Sequence, residues 1–173
     1  DPATRDDYAI TIGAETPDRN LAMPNDRAPE KRVLLLIPSP SVEAYSLAVN
    51  TILRGFNDAN LPTRFDIWYY NKDEALALEA LEWAYAQPVD LIMSVGSSAT
   101  SFLAQHHTGH TIPAVTSASK DPVASGHLTD AARGSGTNIA YTSINVETDT
   151  LVAYLRRLVP GLTTIGLLYA TDN

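Results

Sequence analysis

The 173-residue sequence has no cysteine, which removes thiol catalysis, thiolate-bound metal and disulfide staples together. Positive charge is scarce, with twelve Lys and Arg against twenty Asp and Glu and a formal charge of -8. That sign disfavours nucleic acid and anionic membrane surfaces as partners. Long apolar runs are absent too: the longest solid one, Val33 to Ile37, is strand-sized and far short of the roughly 18 residues of a membrane span. The chain reads as soluble, without direct membrane insertion. No loop carries G-x-x-x-x-G-K-[ST] or G-x-G-x-x-G, so no nucleotide cofactor is expected. The first residue is Asp1, not Met, so an initiating segment is expected to have been removed, and any signal peptide with it. What is present is a globular composition, 45% hydrophobic. A chain this long can bury roughly 68–70% of its unfolded surface without staples.

Residues 1–32 are rich in Asp, Arg, Asn and Pro and show little periodicity beyond a short candidate strand at Tyr8 to Ile12, so a polar N-terminal arm is expected there. From Val33 strands and helices alternate. Val33–Ile37 is a continuous apolar run, as in a parallel strand buried on both faces. Val42, Tyr45, Val49, Ile52, Leu53 and Phe56 then recur at helical spacing, with Ser41 as expected cap. A strand at Phe65 to Tyr70 leads to a helix reaching Ala86, with Asn71 and Glu74 in capping-box register. Asp90 to Val95 is a third strand, Gly96-Ser97-Ser98 a turn, Ala99 to His106 a helix and Ile112 to Thr116 a fourth strand. After Gly134-Ser135-Gly136, a fifth strand is expected at Asn138 to Ile144, a helix on Leu151, Leu155 and Leu158, and a sixth strand at Ile165 to Tyr169. Repeated βα units imply the α/β class: a doubly wound, flavodoxin-like parallel sheet with helices on both faces.

In such a sheet ligands bind beyond the carboxyl ends of the strands, where strand order reverses. Three loops qualify: Pro38-Ser39-Pro40-Ser41, Gly96-Ser97-Ser98-Ala99-Thr100 and Ser117-Ala118-Ser119-Lys120-Asp121. All are dense in small hydroxyls, and two enter helices whose N-termini favour anions. Single Ser and Thr residues are ordinary caps and turn formers, but the combination describes an acceptor for a small carboxylate. Tyr45, Trp68, Tyr69 and Tyr70 are cleft or core aromatics. His106, His107 and His110 invite a metal reading, but Thr108-Gly109 marks a helix end, where His complements the dipole. No metal is expected. Ser97 or Ser98 with a distant His and Asp121 would be the pieces of a serine hydrolase, yet Val95-Gly96-Ser97-Ser98-Ala99 is not a G-x-S-x-G elbow. Neither catalytic residues nor a cofactor are expected.

Ile112-Pro113-Ala114-Val115 leading to Ser119-Lys120-Asp121-Pro122-Val123-Ala124-Ser125-Gly126, then Gly136-Thr137-Asn138-Ile139 and Leu158-Val159-Pro160-Gly161 through Ile165-Gly166-Leu167-Leu168-Tyr169, resemble ABC-transporter substrate-binding proteins of type I periplasmic-binding-protein fold. This is the group that includes tryptophan- and other aromatic-amino-acid-binding members, and the resemblance runs from about Val33 to the C-terminus. It implies two α/β lobes joined by crossing segments, a solute in the cleft between them, and a closed form presented to a membrane permease. Ser39, Ser41, Ser97, Ser98, Ser119 and Asp121 stand where the resemblance puts contacts to an amino-acid head group, and Tyr45 and Ser117 complete the candidate ligand-binding set. Asp121 would pair with an α-ammonium or cap a short helix that begins at Pro122. The implied organisation is an arm (1–32), a first lobe (33–136), and a crossover strand opening a truncated second lobe (137–173). The implied role is a non-enzymatic, periplasmic or extracytoplasmic receptor for a small amino-acid-like solute. The same fold used as the sensor input of a signalling receptor is the alternative.

Overall fold

The computed structural model describes residues 2–14, 16–117 and 119–166. Its centre is β3 (Lys31–Ile37), flanked in parallel by β4 (Thr63–Tyr69) and β5 (Leu91–Val95). Val33 to Ile37 are all buried, so both faces of the strand must be covered. Leu34 and Leu36 face one layer and Val33, Leu35 and Ile37 the other. From β3 the chain runs through α2 (Glu43–Asp58) to β4 on one side. It then crosses back through α3 (Glu74–Ala86) to β5, and on through α4 (Ser97–His106) to β6 (Ala114–Ser117). Crossovers of one hand that run in opposite directions put their helices on opposite faces. Val49 and Leu53 of α2 accordingly pack with Val33, Leu35 and Ile37, while Ala77, Ala80 and Leu81 of α3 and Phe102 and Leu103 of α4 pack with Leu34 and Leu36. The first lobe is the doubly wound α/β unit that the sequence implied.

The opening segment is not a free arm. After α1 (Pro2–Asp7), β1 (Tyr8–Thr11) and β2 (Arg19–Pro24) add two antiparallel strands to the sheet, whose order is β1-β2-β4-β3-β5-β6-β7 among the described residues. A strand that begins with an arginine does not read as one, because the residue that makes Arg19 buriable lies far along the chain. Its guanidinium is 2% exposed, 2.6 Å from the fully buried carboxylate of Asp66 and 4.3 Å above the Trp83 ring. Arg32 and Arg64 reach the same carboxylate at 2.8 and 3.0 Å. Burial opposes ionisation of Asp66, but the hydrogen bonds from Arg32, Arg64 and Arg19 overcome it and hold the carboxyl below its ordinary value.

Local signals were displaced in three other places. The α3 cap is Asp73, whose carboxylate accepts from Ala75 N at 2.9 Å, while Asn71 occupies a left-handed turn with φ 52. Helix α2 starts after Val42 with no side-chain cap, so Ser41 does not fill that role. The fifth strand is only β7 (Ile139–Ala140), paired with Ala114 and Val115, because Thr142 then turns its backbone N–H and hydroxyl onto Thr116. The final helix is α5 (Thr148–Leu158), with Leu151, Tyr154 and Leu158 exposed. The expected sixth strand falls from residue 167 outside the described residues, and residues 165 and 166 are in no strand.

Replacing Asp66 with Asn should leave three guanidinium groups around a neutral amide. We expect a loss of about 3–5 kcal/mol in urea unfolding, with β2 amides losing hydrogen-exchange protection first. Because the folded-state pKa of Asp66 is depressed, its contribution is present above the unfolded value near 4 and is lost as pH falls through the lower folded value. The acid limb of the stability profile should therefore flatten in the variant.

Candidate functional site

The strand-order reversal lies between β3 and β5, where the chain leaves β3 for one side and β5 for the other. At that point α2 and α4 both begin at carboxyl ends of strands. Gly96, with φ 92, is the residue before α4, and it accepts Thr100 N–H and donates its own N–H to Ser117 O. A Cβ at Gly96 would stand 2.7 Å from Cε1 and 2.9 Å from Oη of Tyr45. Glycine is thus required twice, for the left-handed backbone and for the Tyr45 ring that lies against it. This contact brings the first turn of α2 to the first turn of α4. The residue before α4, Gly96, makes no side-chain cap, so the first N–H groups of the helix get no side-chain partner from that position.

Around this point the predicted serines take distinct positions. Ser98, exposed, accepts a hydrogen bond from the Tyr70 hydroxyl at 3.3 Å. Burial raises the Tyr70 pKa, Ser98 opposes the shift and Tyr45 adds to it, so Tyr70 stays a neutral donor. Ser97 Oγ accepts from Lys120 N at 3.1 Å, and Ser117 Oγ donates to Ser94 O at 2.9 Å. These two hydroxyls fasten the loop after β6 to the start of α4 and to β5. Ser119 is buried, and its carbonyl accepts from Ile144 N. Asp121 Oδ1 accepts from Val123 N at 2.8 Å and Ala124 N at 3.2 Å, which realises the capping half of its two expected roles. Ser39 and Ser41, in the loop after β3, bond each other at 2.8 Å between hydroxyls. The structure therefore brings Tyr45 against Gly96 beside Ser97 and Ser98, and ties the loop after β6 there through Ser97 and Ser117. Asp121, by contrast, bonds within its own loop, Ser119 meets Ile144, and Ser39 and Ser41 form a separate pair on the neighbouring strand end. Gly96 and Tyr70 are the members that sequence reasoning did not put in the site. The signal for Tyr70 was its place at the end of a strand run, and for Gly96 its place immediately before a helix.

The histidines serve packing. His107 is fully buried, donates from Nε2 to Ile112 O at 2.9 Å and accepts at Nδ1 from the Tyr85 hydroxyl at 2.9 Å. Burial lowers its pKa, the bond to Ile112 opposes this, and His110 adds to the lowering. Asn138 Nδ2 donates to Ile112 O and His110 O, which ties β7 to the same knot. Glu74 Oε1 lies 3.1 Å from His106 Nε2. The hydrolase pieces do not assemble at Ser97 or Ser98, whose hydroxyls meet Lys120 and Tyr70. A Ser–His contact does exist at Ser101–His127, 3.2 Å, but Ser101 lies within α4, away from the strand ends.

The family model described as ABC transporter substrate binding protein matches residues 32–173, and the chain belongs to that family. No curated protein matches the chain in sequence. Among solved structures, it is similar to a ligand-free, open substrate binding protein with adhesive properties from Clostridium difficile, with 18% identity, TM-score 0.64, and 76% of this chain and 44% of that one covered. A conserved domain protein from Vibrio cholerae gives 17% identity, TM-score 0.60 and coverage of 76% and 44%. An ABC domain from Streptococcus pneumonia in complex with L-Trp gives 18%, 0.57, 65% and 38%. The fold is that of one lobe of a type I periplasmic-binding-type protein, and the chain spans less than half the length of these relatives.

Gly96→Ala should cost about 1–3 kcal/mol through backbone strain alone and more through the collision with Tyr45. In urea unfolding, adding Tyr45→Ser should recover only the collision part and leave the strain.

Proposed function

We propose that the chain is the first lobe of an extracytoplasmic solute receptor that serves an ABC importer and performs no chemistry. The bound solute is a small zwitterionic amino acid, aromatic or branched. The observation that carries this reading is the uncapped start of α4 at the strand-order reversal, walled by the Tyr45 ring and flanked by Ser98. An α-carboxylate there meets backbone N–H groups, the positive end of the helix dipole and the Ser98 hydroxyl. Ser97, Ser117 and Ser119 shape this surface by holding the β6 loop, and the Ser39–Ser41 pair borders it from β3. Asp121 Oδ2 lies outside the capping bonds of Oδ1 and pairs with the α-ammonium. The tyrosines offer a face to an aromatic side chain, in keeping with the L-Trp complex of one similar structure.

Residues 137–173 open the crossover into a second lobe that closes over the solute. Support comes from α5, whose apolar residues Leu151 and Leu158 are exposed and whose lead-in is tied to the end of β6 by Thr142 and Ile144. The closed pair of lobes is what a membrane permease recognises.

Calorimetric titration of the two-lobed, full-length protein with Trp, Tyr, Phe, Leu and Ile, with sugars and purines as controls, tests the proposal. One amino-acid class should bind saturably. Ser98→Ala should weaken it about fivefold, the worth of one ordinary hydrogen bond. Unchanged affinity in that variant would remove the carboxylate from the α4 start, and selective binding of a sugar or purine would overturn the amino-acid assignment.

A further inference from the structure

A cavity lies on the face of the sheet that α2 covers. It has a volume of about 660 Å³, inside the range of roughly 300–1,000 Å³ typical of ligand pockets. The N-terminal segment forms one wall and α2 the other, over a floor of Val49, Leu53 and Ile67. The segment is held in place by Asn25, whose Nδ2 donates to Arg5 O at 3.0 Å and Asp6 O at 2.8 Å, and by the Arg19–Asp66 pair.

The polar lining is one-sided. Among the described residues no carboxylate lines the cavity, although the chain carries twenty acidic residues. Arg5 does line it, and it makes no ion pair among the described residues. Two phenols line it as well: burial raises the pKa of Tyr8 to about 12 and also raises that of Tyr69, which leaves both as neutral donors. Thr4, another lining residue, is 3% exposed, and its buried hydroxyl has no hydrogen-bond partner among the described residues. A buried hydroxyl left in this state destabilises the empty protein and is satisfied by an incoming acceptor.

We propose that this cavity is a second small-molecule site, distinct from the α4 start, and that it takes a monocarboxylate with a compact apolar body. The carboxylate accepts from Arg5 and from the hydroxyl groups, and the apolar body lies on Val49, Leu53 and Ile67. An amino group is not wanted, because no acidic side chain among the described lining residues is there to receive it.

The test uses the full-length protein and three acids that lack an amino group: benzoate, phenylacetate and hexanoate. At least one should bind saturably by calorimetry with a Kd of about 1 mM or tighter. Arg5→Gln should weaken that binding about tenfold, and Ser46→Trp, at an exposed lining position of α2, should abolish it. Thr4→Val should raise the Tm of the ligand-free protein while weakening the acid. Amino-acid affinity should be the same in all three variants, which separates this site from the one proposed above. Absence of saturable binding by all three acids, or binding undiminished in both Arg5→Gln and Ser46→Trp, overturns the proposal.

Discussion

Val33 to Ile37 have no water on either side, and the rest of the molecule is arranged to keep it away. A strand buried on both faces needs helices on both, and neighbouring parallel strands can supply them only by winding in opposite directions. That demand creates the reversal between β3 and β5, and with it a place where two helices, α2 and α4, start at the ends of neighbouring strands. The Tyr45–Gly96 contact is the local expression of the same constraint. The meeting of the two helix starts is therefore a by-product of core burial, and the hydroxyl-rich loops lie at a position that the topology had already fixed.

The parts of the fold legible from the sequence are those governed by near neighbours. The apolar run of β3, the helical spacing of α2 and α3 and the glycine before α4 each carry their own signal. Strand β2 does not, because Arg19 is stabilised by Asp66 and Trp83, and nothing within a window of sequence announces that a charge will be buried against a carboxylate so remote. The fifth strand was read too long for the opposite reason: residues 138–144 have strand-like composition, but Thr116 diverts the chain by competing for the backbone of Thr142. The capping-box spacing points to Asn71, but the left-handed turn at Asn71 and Lys72 moves the cap to Asp73.

At the site, sequence reasoning found the loops but not the use of each hydroxyl. Position along a strand end is a property of topology, which the βα rhythm conveys. Whether a hydroxyl faces solvent or braces a neighbouring loop depends on distances between segments far apart in the chain. Ser98 and Ser97 are adjacent, yet one meets Tyr70 and the other the backbone of Lys120. The same limit applies to Asp121, whose cap needs nothing beyond its own loop, whereas a pairing with a ligand ammonium depends on segments far away in the chain.

The short strand β7 is pinned at both ends, by Asn138 to the buried His107 knot and by Thr142 to Thr116. A segment clamped twice behaves as a rigid lug, so rotation of α5 against the sheet is concentrated in the few residues after it. Among these, Ile144 donates its N–H to the Ser119 carbonyl, and the residue after Ser119, Lys120, is held by Ser97 at the start of α4. The residues after β7 and the start of α4 are thus tied through one stretch of backbone, and a load applied at one is felt as torque at the other.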